Sequence, residues 1–231
     1  MTKGTATFDL QKHTLTAGAD AKVQGTYKDG NVAIAVKDGA KLTVQNGSIG
    51  NSSNGLLYGV FAFGTGDVTL DNILFSERIT YAFNGVGKLA ATNCTFKGWL
   101  SGWHHGGTFT NCTFTIGKNW YPAAICYGNT TFSSCKFFNN NTDADVYDDK
   151  NSADPDGYYR CNYVVAGCNP TTTIDFNSCE LIDKDGKKTD NVTASNHPYH
   201  ACSWGDGNVA NANVKVDGTV VTTKCSDASK Q

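Results

Sequence analysis

Charged residues, proline and methionine are all scarce in this chain of 231 residues. Charged side chains make up 17% of it, the formal net charge is −2, and no Lys/Arg cluster accompanies the aromatic residues. We therefore do not expect nucleic-acid binding. No apolar run approaches the ~18 residues of a membrane-spanning helix, so we do not expect membrane insertion either. Glycine is abundant, with 25 residues, and this composition is typical of a turn-rich β protein.

The opening segment, MTKGTATFDL, lacks the apolar stretch of a secretory signal. Two explanations are open: a leader and flanking domains were removed, or the protein leaves its cell by another route, such as lysis by a phage. Both predict a protein of a virion, of the cell surface or of the extracellular medium. A cytoplasmic protein is the less favoured alternative, because turn-rich β rods are seldom cytosolic enzymes.

A short pattern recurs along the chain: two apolar residues at alternate positions, a turn residue, and a further apolar residue three places later. Leu42, Val44, Asn46 and Ile49 are one instance. Alternation with period two, broken at Asn, Ser or Gly, is typical of a short strand that enters a tight turn. The turn residues of the seven instances are Asn46, Asn72, Asn93, Asn111, Ser134, Ser178 and Gly218.

This recurrence predicts a β solenoid, in which like positions of successive repeats form columns. The turn residues are 26, 21, 18, 23, 44 and 40 residues apart. Because the last two intervals are close to twice a repeat of about 20 residues, we expect about nine repeats. We divide the chain into an N-terminal cap at 1–30, a parallel β-helix at 31–222 with insertions at 138–157 and 182–198, and a C-terminal tail at 223–231.

Nine cysteines, an odd number, leave at least one thiol free. Four of them directly follow the turn residue of a repeat and predict a column of small buried side chains, which we favour over a ladder of disulfides. A disulfide between Cys161 and Cys168 is open, and no spacing suggests zinc. The four column residues are Cys94, Cys112, Cys135 and Cys179.

Several segments resemble a known family: TFDLQKHTLT, VKDGAKLTVQNGSI, the two TNCTF segments and SSCKF. They are similar to the pectate-lyase-like right-handed parallel β-helices of bacterial surface proteins and phage structural proteins. The resemblance covers residues 5–137 well and 170–221 more loosely. It implies an all-β fold, a single-stranded right-handed parallel β-helix. It says little about function, because this architecture hosts lyases, hydrolases, adhesins and phage spikes.

Insertions fall at one point of the repeat, so we expect them along one edge of the rod, the best candidate for binding. Aromatic residues run beside these insertions. Flat amphipathic rings suit a sugar chain because they stack on its apolar faces, although the alternative is that about half of the rings fill the interior. The predicted ligand-binding residues are Trp99, Trp103, His104, Trp120, Tyr121, Tyr158, Tyr159 and Arg160.

The insertion at 138–157 carries several aspartates interleaved with asparagine. Hard oxygen ligands at this density are of the kind that hold Ca²⁺, although the spacing is not that of an EF-hand. A solvated polar loop is the favoured alternative, and we expect no obligatory cofactor. The candidate metal ligands are Asp143, Asp145, Asp148 and Asp149.

These features predict a non-catalytic virion or surface protein, of the phage-fibre or adhesin type, that binds a polysaccharide or a host-surface glycan. We also expect contacts with other virion or surface proteins, and a homo-oligomer such as a trimer. The alternative is a polysaccharide depolymerase on the same fold, for which Arg160 beside the aspartate loop is the one basic candidate. Carboxylates are nearly absent from the predicted strands, so we do not expect a rigid catalytic pair.

Overall fold

The structure, a computed structural model, describes residues 4–16, 22–23, 30–50, 56–76, 79–97, 99–115, 124–138, 165–167, 171–201 and 213–221. Every regular element in these ranges is a β-strand, which confirms the all-β part of the prediction. Within these ranges there is no helix of the length and apolarity needed to cross a membrane.

Twenty-three strands follow one another along the described chain. The first twelve are β1 (Gly4–Asp9), β2 (Thr14–Leu15), β3 (Lys22–Val23), β4 (Gly30–Val36), β5 (Ala40–Ile49), β6 (Leu56–Ala62), β7 (Asp67–Phe75), β8 (Ile79–Gly85), β9 (Leu89–Thr92), β10 (Thr95–Phe96), β11 (Trp99–Gly102) and β12 (Gly107–Thr110). The other eleven are β13 (Thr113–Phe114), β14 (Ala124–Cys126), β15 (Thr130–Ser133), β16 (Lys136–Phe138), β17 (Val165–Gly167), β18 (Thr173–Asn177), β19 (Glu180–Ile182), β20 (Lys188–Asn191), β21 (Tyr199–Ala201), β22 (Asn213–Val216) and β23 (Thr219–Val221).

The strands form two sheets, which we call sheet A and sheet B. Sheet A has 15 strands in the order β20-β19-β16-β13-β10-β7-β9-β12-β15-β18-β22-β23, and β5 joins β1 and β2 to β7. Sheet B has eight strands in the order β21-β17-β14-β11-β8-β6-β4-β3. Pairing is parallel throughout both sheets except for β3 with β4, β19 with β20 and β22 with β23.

Each complete repeat supplies three strand segments. A leading segment in sheet A ends at the turn residue, a trailing segment in sheet A follows the turn, and a third segment lies in sheet B. In the repeat with Asn93 at its turn, these segments are β9, β10 and β11. Leu89 pairs with Gly107 of the next repeat, and Thr95 pairs with Thr113. Like positions therefore lie opposite one another, as the repeat pattern predicted.

The turn residues adopt the left-handed conformation that the pattern requires. L-residues seldom adopt it, but asparagine tolerates it better than most because its short side chain can hydrogen-bond locally. The amides also link repeats: Asn111 Nδ2 donates to Asn93 Oδ1 at 2.7 Å, and Asn72 Nδ2 donates to Asn46 Oδ1 at 3.3 Å. The φ angles are 57° at Asn46, 54° at Asn72 and Asn93, 52° at Asn111, and 53° at Ser134 and Ser178.

Two columns of phenylalanine fill much of the core. Within each column the rings of successive repeats stack, with centroids 5.0 to 5.3 Å apart. Between the columns the rings meet edge to face, as Phe114 and Phe132 do at 5.4 Å. Such pairs contribute about 0.5–1.5 kcal/mol beyond the burial of their area. The trailing column is Phe75, Phe96, Phe114 and Phe137, and the leading column is Phe109, Phe132 and Phe176.

The four cysteines that follow the turn residues form the predicted buried column of free thiols, which confirms that prediction. The thiol of Cys135 donates to the carbonyl of Phe109 in the preceding repeat at 3.4 Å, and Cys179 donates in the same way to Phe132 at 3.5 Å. Hydrogen bonding with the Cys112 thiol, reinforced by burial, raises the pKa of Cys94 and of Cys135. These two thiols therefore stay protonated at neutral pH.

The prediction of an additional repeat in each of the two longest intervals is wrong. Thr130 of β15 pairs directly with Ile174 of β18, and Ile174 pairs directly with Val214 of β22. No strand lies between these partners in sheet A, so the intervals of 44 and 40 residues contain insertions instead. The leading segments among the described residues are β1, β5, β7, β9, β12, β15, β18 and β22, eight rather than about nine.

Gly218 does not occupy the turn of a seventh parallel repeat. Asp217 and Gly218, with φ of 45° and 78°, connect β22 to the antiparallel β23, in which Thr219 pairs with Val216. Two successive residues with positive φ are typical of the type I′ turn of a two-residue hairpin. The apolar spacing of a hairpin thus mimics that of the repeat at this place.

Residues 4–15, which the prediction assigned to an N-terminal cap, form part of sheet A. Strand β1 pairs in parallel with β5, with Gly4 opposite Ala40, and β2 pairs with the end of the same strand. Gln11 and Lys12 have φ of 48° and 69° between them. This segment is therefore a repeat with a turn of its own.

We expect Phe132→Ala to lower the free energy of unfolding by about 3–5 kcal/mol. Phe132 is fully buried and contacts four other phenylalanine rings, so truncation leaves a cavity that both columns line. Urea unfolding followed by circular dichroism measures the change. Val220→Ala, at an apolar residue that is 66% exposed, is the control and should change it by less than about 0.5 kcal/mol. Equal effects of the two substitutions would contradict this packing.

Candidate functional site

An open groove of about 420 Å³ crosses the outer face of sheet A. It lies over the first residues of β5, β7, β9 and β12. Three strand spacings separate β5 from β12, so the groove extends about 15 Å from repeat to repeat. The polar side chains that line it include those of Lys41, Asp67, Lys88, His105, Thr108 and Asn129.

Strand alternation determines which residues face this groove. Val68 and Leu89, at the positions that the repeat pattern makes apolar, are buried. The residues beside them point to the opposite face, because successive side chains of a strand alternate. In-register pairing then places Lys41 opposite Asp67 and Thr43 opposite Thr69. The register that aligns the apolar residues in the core therefore also aligns the polar residues of the groove.

The groove carries two ammonium groups and one carboxylate among its described lining residues. The Asp67 carboxylate accepts the backbone N–H of Lys88 at 3.0 Å, which fixes its orientation. At the far side, Asn129 Oδ1 accepts the backbone N–H of Thr173 at 3.0 Å. Both residues line the groove, where a carboxylate can accept and an amide NH2 can donate hydrogen bonds to a bound molecule.

An aromatic pair lies where the chain passes from sheet B back to sheet A. The imidazole of His104 stacks on the ring of Tyr127, with centroids 4.6 Å apart and an interplanar angle of 20°. His104 is exposed and Tyr127 is partly exposed. The next residue, His105, lines the groove, whereas the two stacked rings are not among its lining residues. We call the two rings the aromatic ledge.

Partial desolvation, the larger cause, and charge repulsion from the neighbouring His105 both lower the pKa of His104. The imidazole is therefore neutral at neutral pH. A neutral ring stacks on Tyr127 without a desolvated charge, and it offers one nitrogen as a donor and one as an acceptor.

The structure places the three described residues of the predicted binding set in different surroundings. His104 is exposed, as the prediction required. Trp99 is half-buried in sheet B, where its ring stacks on Tyr81 with centroids 4.6 Å apart, and Tyr81 in turn stacks on Tyr58 at 4.9 Å. The other five residues, Trp120, Tyr121, Tyr158, Tyr159 and Arg160, lie outside the described residues, so their assignment stays a prediction.

Trp103 is a correction to the predicted binding set. It is fully buried, its φ is 47°, and its indole Nε1 donates to Thr130 Oγ1 at 2.8 Å. The ring lies against Phe109, with centroids 5.4 Å apart. The left-handed backbone turns this side chain into the core, so Trp103 does not meet a ligand on the surface.

The predicted calcium ligands Asp143, Asp145, Asp148 and Asp149 also lie outside the described residues, and the calcium prediction stays untested. Within the described ranges, no group of three or more His, Cys, Asp or Glu residues is placed to hold a metal ion.

The structure describes the predicted insertion at 182–198. This insertion contains β20, which pairs antiparallel with β19.

The binding residues predicted from the sequence do not include Lys41, Asp67, Lys88 or Asn129. The signal that could have found them is their shared position, just before or at the start of a leading strand. Once successive repeats are aligned, that position predicts a common outer face.

No family model, curated protein or solved structure matches this chain.

We expect the free energy of unfolding to decrease as His104 becomes protonated at low pH. The pKa of His104 is lower in the folded state than in the unfolded state, so its contribution is present above the unfolded pKa and is lost as the pH falls through the folded pKa. Urea unfolding between about pH 7 and 5 should show a steeper loss of stability for the parent than for His104→Gln. A larger loss for the variant would contradict the assignment.

Proposed function

We propose that the chain folds as a right-handed parallel β-helix that binds a glycan without cleaving it. Two sheets with parallel, in-register pairing support the β-helix, because each repeat passes from sheet A to sheet B and back before it pairs with its neighbour. Connections between parallel strands of one sheet are right-handed in about 98% of cases, which supports the handedness.

The observation that carries the binding proposal is an exposed aromatic ledge that is adjacent in sequence to the polar groove. Sugar rings have apolar faces that stack on aromatic rings and hydroxyls that need hydrogen-bond partners at the edge. The ledge offers the first, and Lys88, Asp67 and Asn129 offer the second in the groove that His105, the residue after His104, also lines. An open groove that runs from repeat to repeat suits an extended chain better than a small compact ligand.

The carboxylates favour binding over hydrolysis. Glycoside hydrolysis uses a pair of carboxyl groups across the scissile bond. Among the described residues that line the groove, Asp67 is the one carboxylate, so a second carboxyl group to complete such a pair is lacking there. A virion or cell-surface setting, with neighbouring surface proteins, is part of the proposal, and its support is the family resemblance of the sequence.

The test is a glycan array, followed by titration of the best neutral and acidic polysaccharides. We expect Tyr127→Ala to weaken binding about tenfold or more, which corresponds to about 1.4 kcal/mol, because it removes half of the aromatic ledge. Lys88→Ala should weaken it as well. Lys188→Ala is the matched control, since Lys188 lies in β20 and pairs with Glu180 at 2.8 Å, away from the groove.

Two results would count against this function. If no polysaccharide binds, or if Tyr127→Ala binds as tightly as the parent, the groove and the ledge are not the binding site. If incubation with the bound polysaccharide releases new reducing ends or unsaturated products, the protein is a depolymerase and the non-catalytic part of the proposal is wrong.

A further inference from the structure

The two ends of sheet A differ in whether their last parallel strands have an antiparallel partner. At the C-terminal end, the antiparallel strands β20 and β23 cover the parallel strands β19 and β22. At the N-terminal end, β1 pairs with β5 along one edge, and no strand in the described part of the chain pairs with its other edge. An uncovered edge strand is a template for pairing with another chain.

The backbone of β1 shows which groups face this free edge. Leu10 donates its N–H to the carbonyl of Gln45 in β5. A strand residue directs its N–H and C=O to one side, and its neighbours direct theirs to the other. Thr5, Thr7 and Asp9 therefore direct their backbone groups away from β5, toward the free edge.

The inner side of β1 leaves the end of the core open. Phe8 pairs with Val44, and Val44 pairs with Leu70; Val44 and Leu70 are fully buried, yet Phe8 is 44% exposed. The remainder of β1 is exposed as well, apart from Ala6, which is partly buried. A large apolar side chain at a core position is thus left uncovered at the same edge as the unpaired backbone.

We propose that β1 pairs antiparallel with β1 of a second copy of this chain, across a two-fold axis that passes between the two Thr7 residues. In this register Thr7 faces Thr7, Thr5 faces Asp9, and the groups that point to the free edge bond one another. On the inner side Ala6 faces Phe8, so the two cores become continuous. The two-fold axis makes the contact isologous, and it closes at two copies.

The chain itself favours a second copy over a head-to-tail contact. Asp9 is the one charged residue of β1, and antiparallel pairing puts the two Asp9 carboxylates at opposite ends of the ladder. Like charges therefore do not meet. Head-to-tail addition of β1 to the outer edge of β20 would instead place Phe8 beside exposed polar residues. The edge of β1 is self-complementary in this register.

The experiment is sedimentation velocity on the whole chain at concentrations from about 1 to 100 μM. We expect a dimer that dissociates on dilution. Thr7→Pro should make it at least tenfold weaker, because it removes a donor at the centre of the ladder. The β1–β5 pairing does not use that N–H, so circular dichroism should show the same fold. Thr7→Ser, which keeps the donor, and Val220→Ala, at the opposite end, are the controls and should dimerise like the parent.

Amide hydrogen exchange gives a second measurement that does not depend on a variant. The amides of Thr7 and Asp9 should exchange more slowly at high than at low protein concentration. A parent that stays monomeric to about 100 μM, a trimer, or a dimer that Thr7→Pro leaves unchanged would each overturn the proposal. So would exchange at Thr7 and Asp9 that is independent of concentration, whether those amides are free or paired with another segment of the same chain.

Discussion

In-register hydrogen bonding between like positions of successive repeats is the constraint on which the rest of this structure depends. A shift of one residue in any pair of strands would exchange the inner and outer faces. The phenylalanine columns, the buried thiols and the linked asparagine amides exist because the register is the same from β5 to β18. The same register also aligns the polar residues that alternate with the core residues, and these polar residues line the outer groove.

The fold was predictable where one backbone conformation demands particular residues. Asn46, Asn72, Asn93 and Asn111 occupy left-handed turns, and few other residues accept that conformation without strain. The number of repeats was not predictable in the same way, because an interval of 44 residues has the same length whether it contains a repeat or an insertion. The hairpin at Asp217 and Gly218 misled for a related reason: it reproduces the apolar spacing of a repeat while its backbone reverses.

The candidate site was less accessible to sequence reasoning than the fold. Trp103 and His104 are neighbours beside glycine, and the pattern gave both the same role. The direction of each depends on the left-handed backbone at Trp103 and on the hydroxyl of Thr130 that its indole finds inside. Lys41, Asp67 and Lys88 are the polar residues that any half-exposed strand carries. They are close together only because three repeats are aligned, so their proximity cannot be predicted from any one segment of the sequence.

The direct pairing of Thr130 with Ile174 has a consequence for how this scaffold diversifies. Thr130 and Ile174 are 44 residues apart in sequence, against 23 for Gly107 and Thr130, yet β15 and β18 pair in the same register as β12 and β15. Closing a longer loop costs only about 0.6 kcal/mol for each doubling of its length. Segments inserted at this point of a repeat are therefore exchangeable almost independently of the scaffold. Evolution can therefore change the inserted segments on the surface while the phenylalanine and cysteine columns of the core remain unchanged.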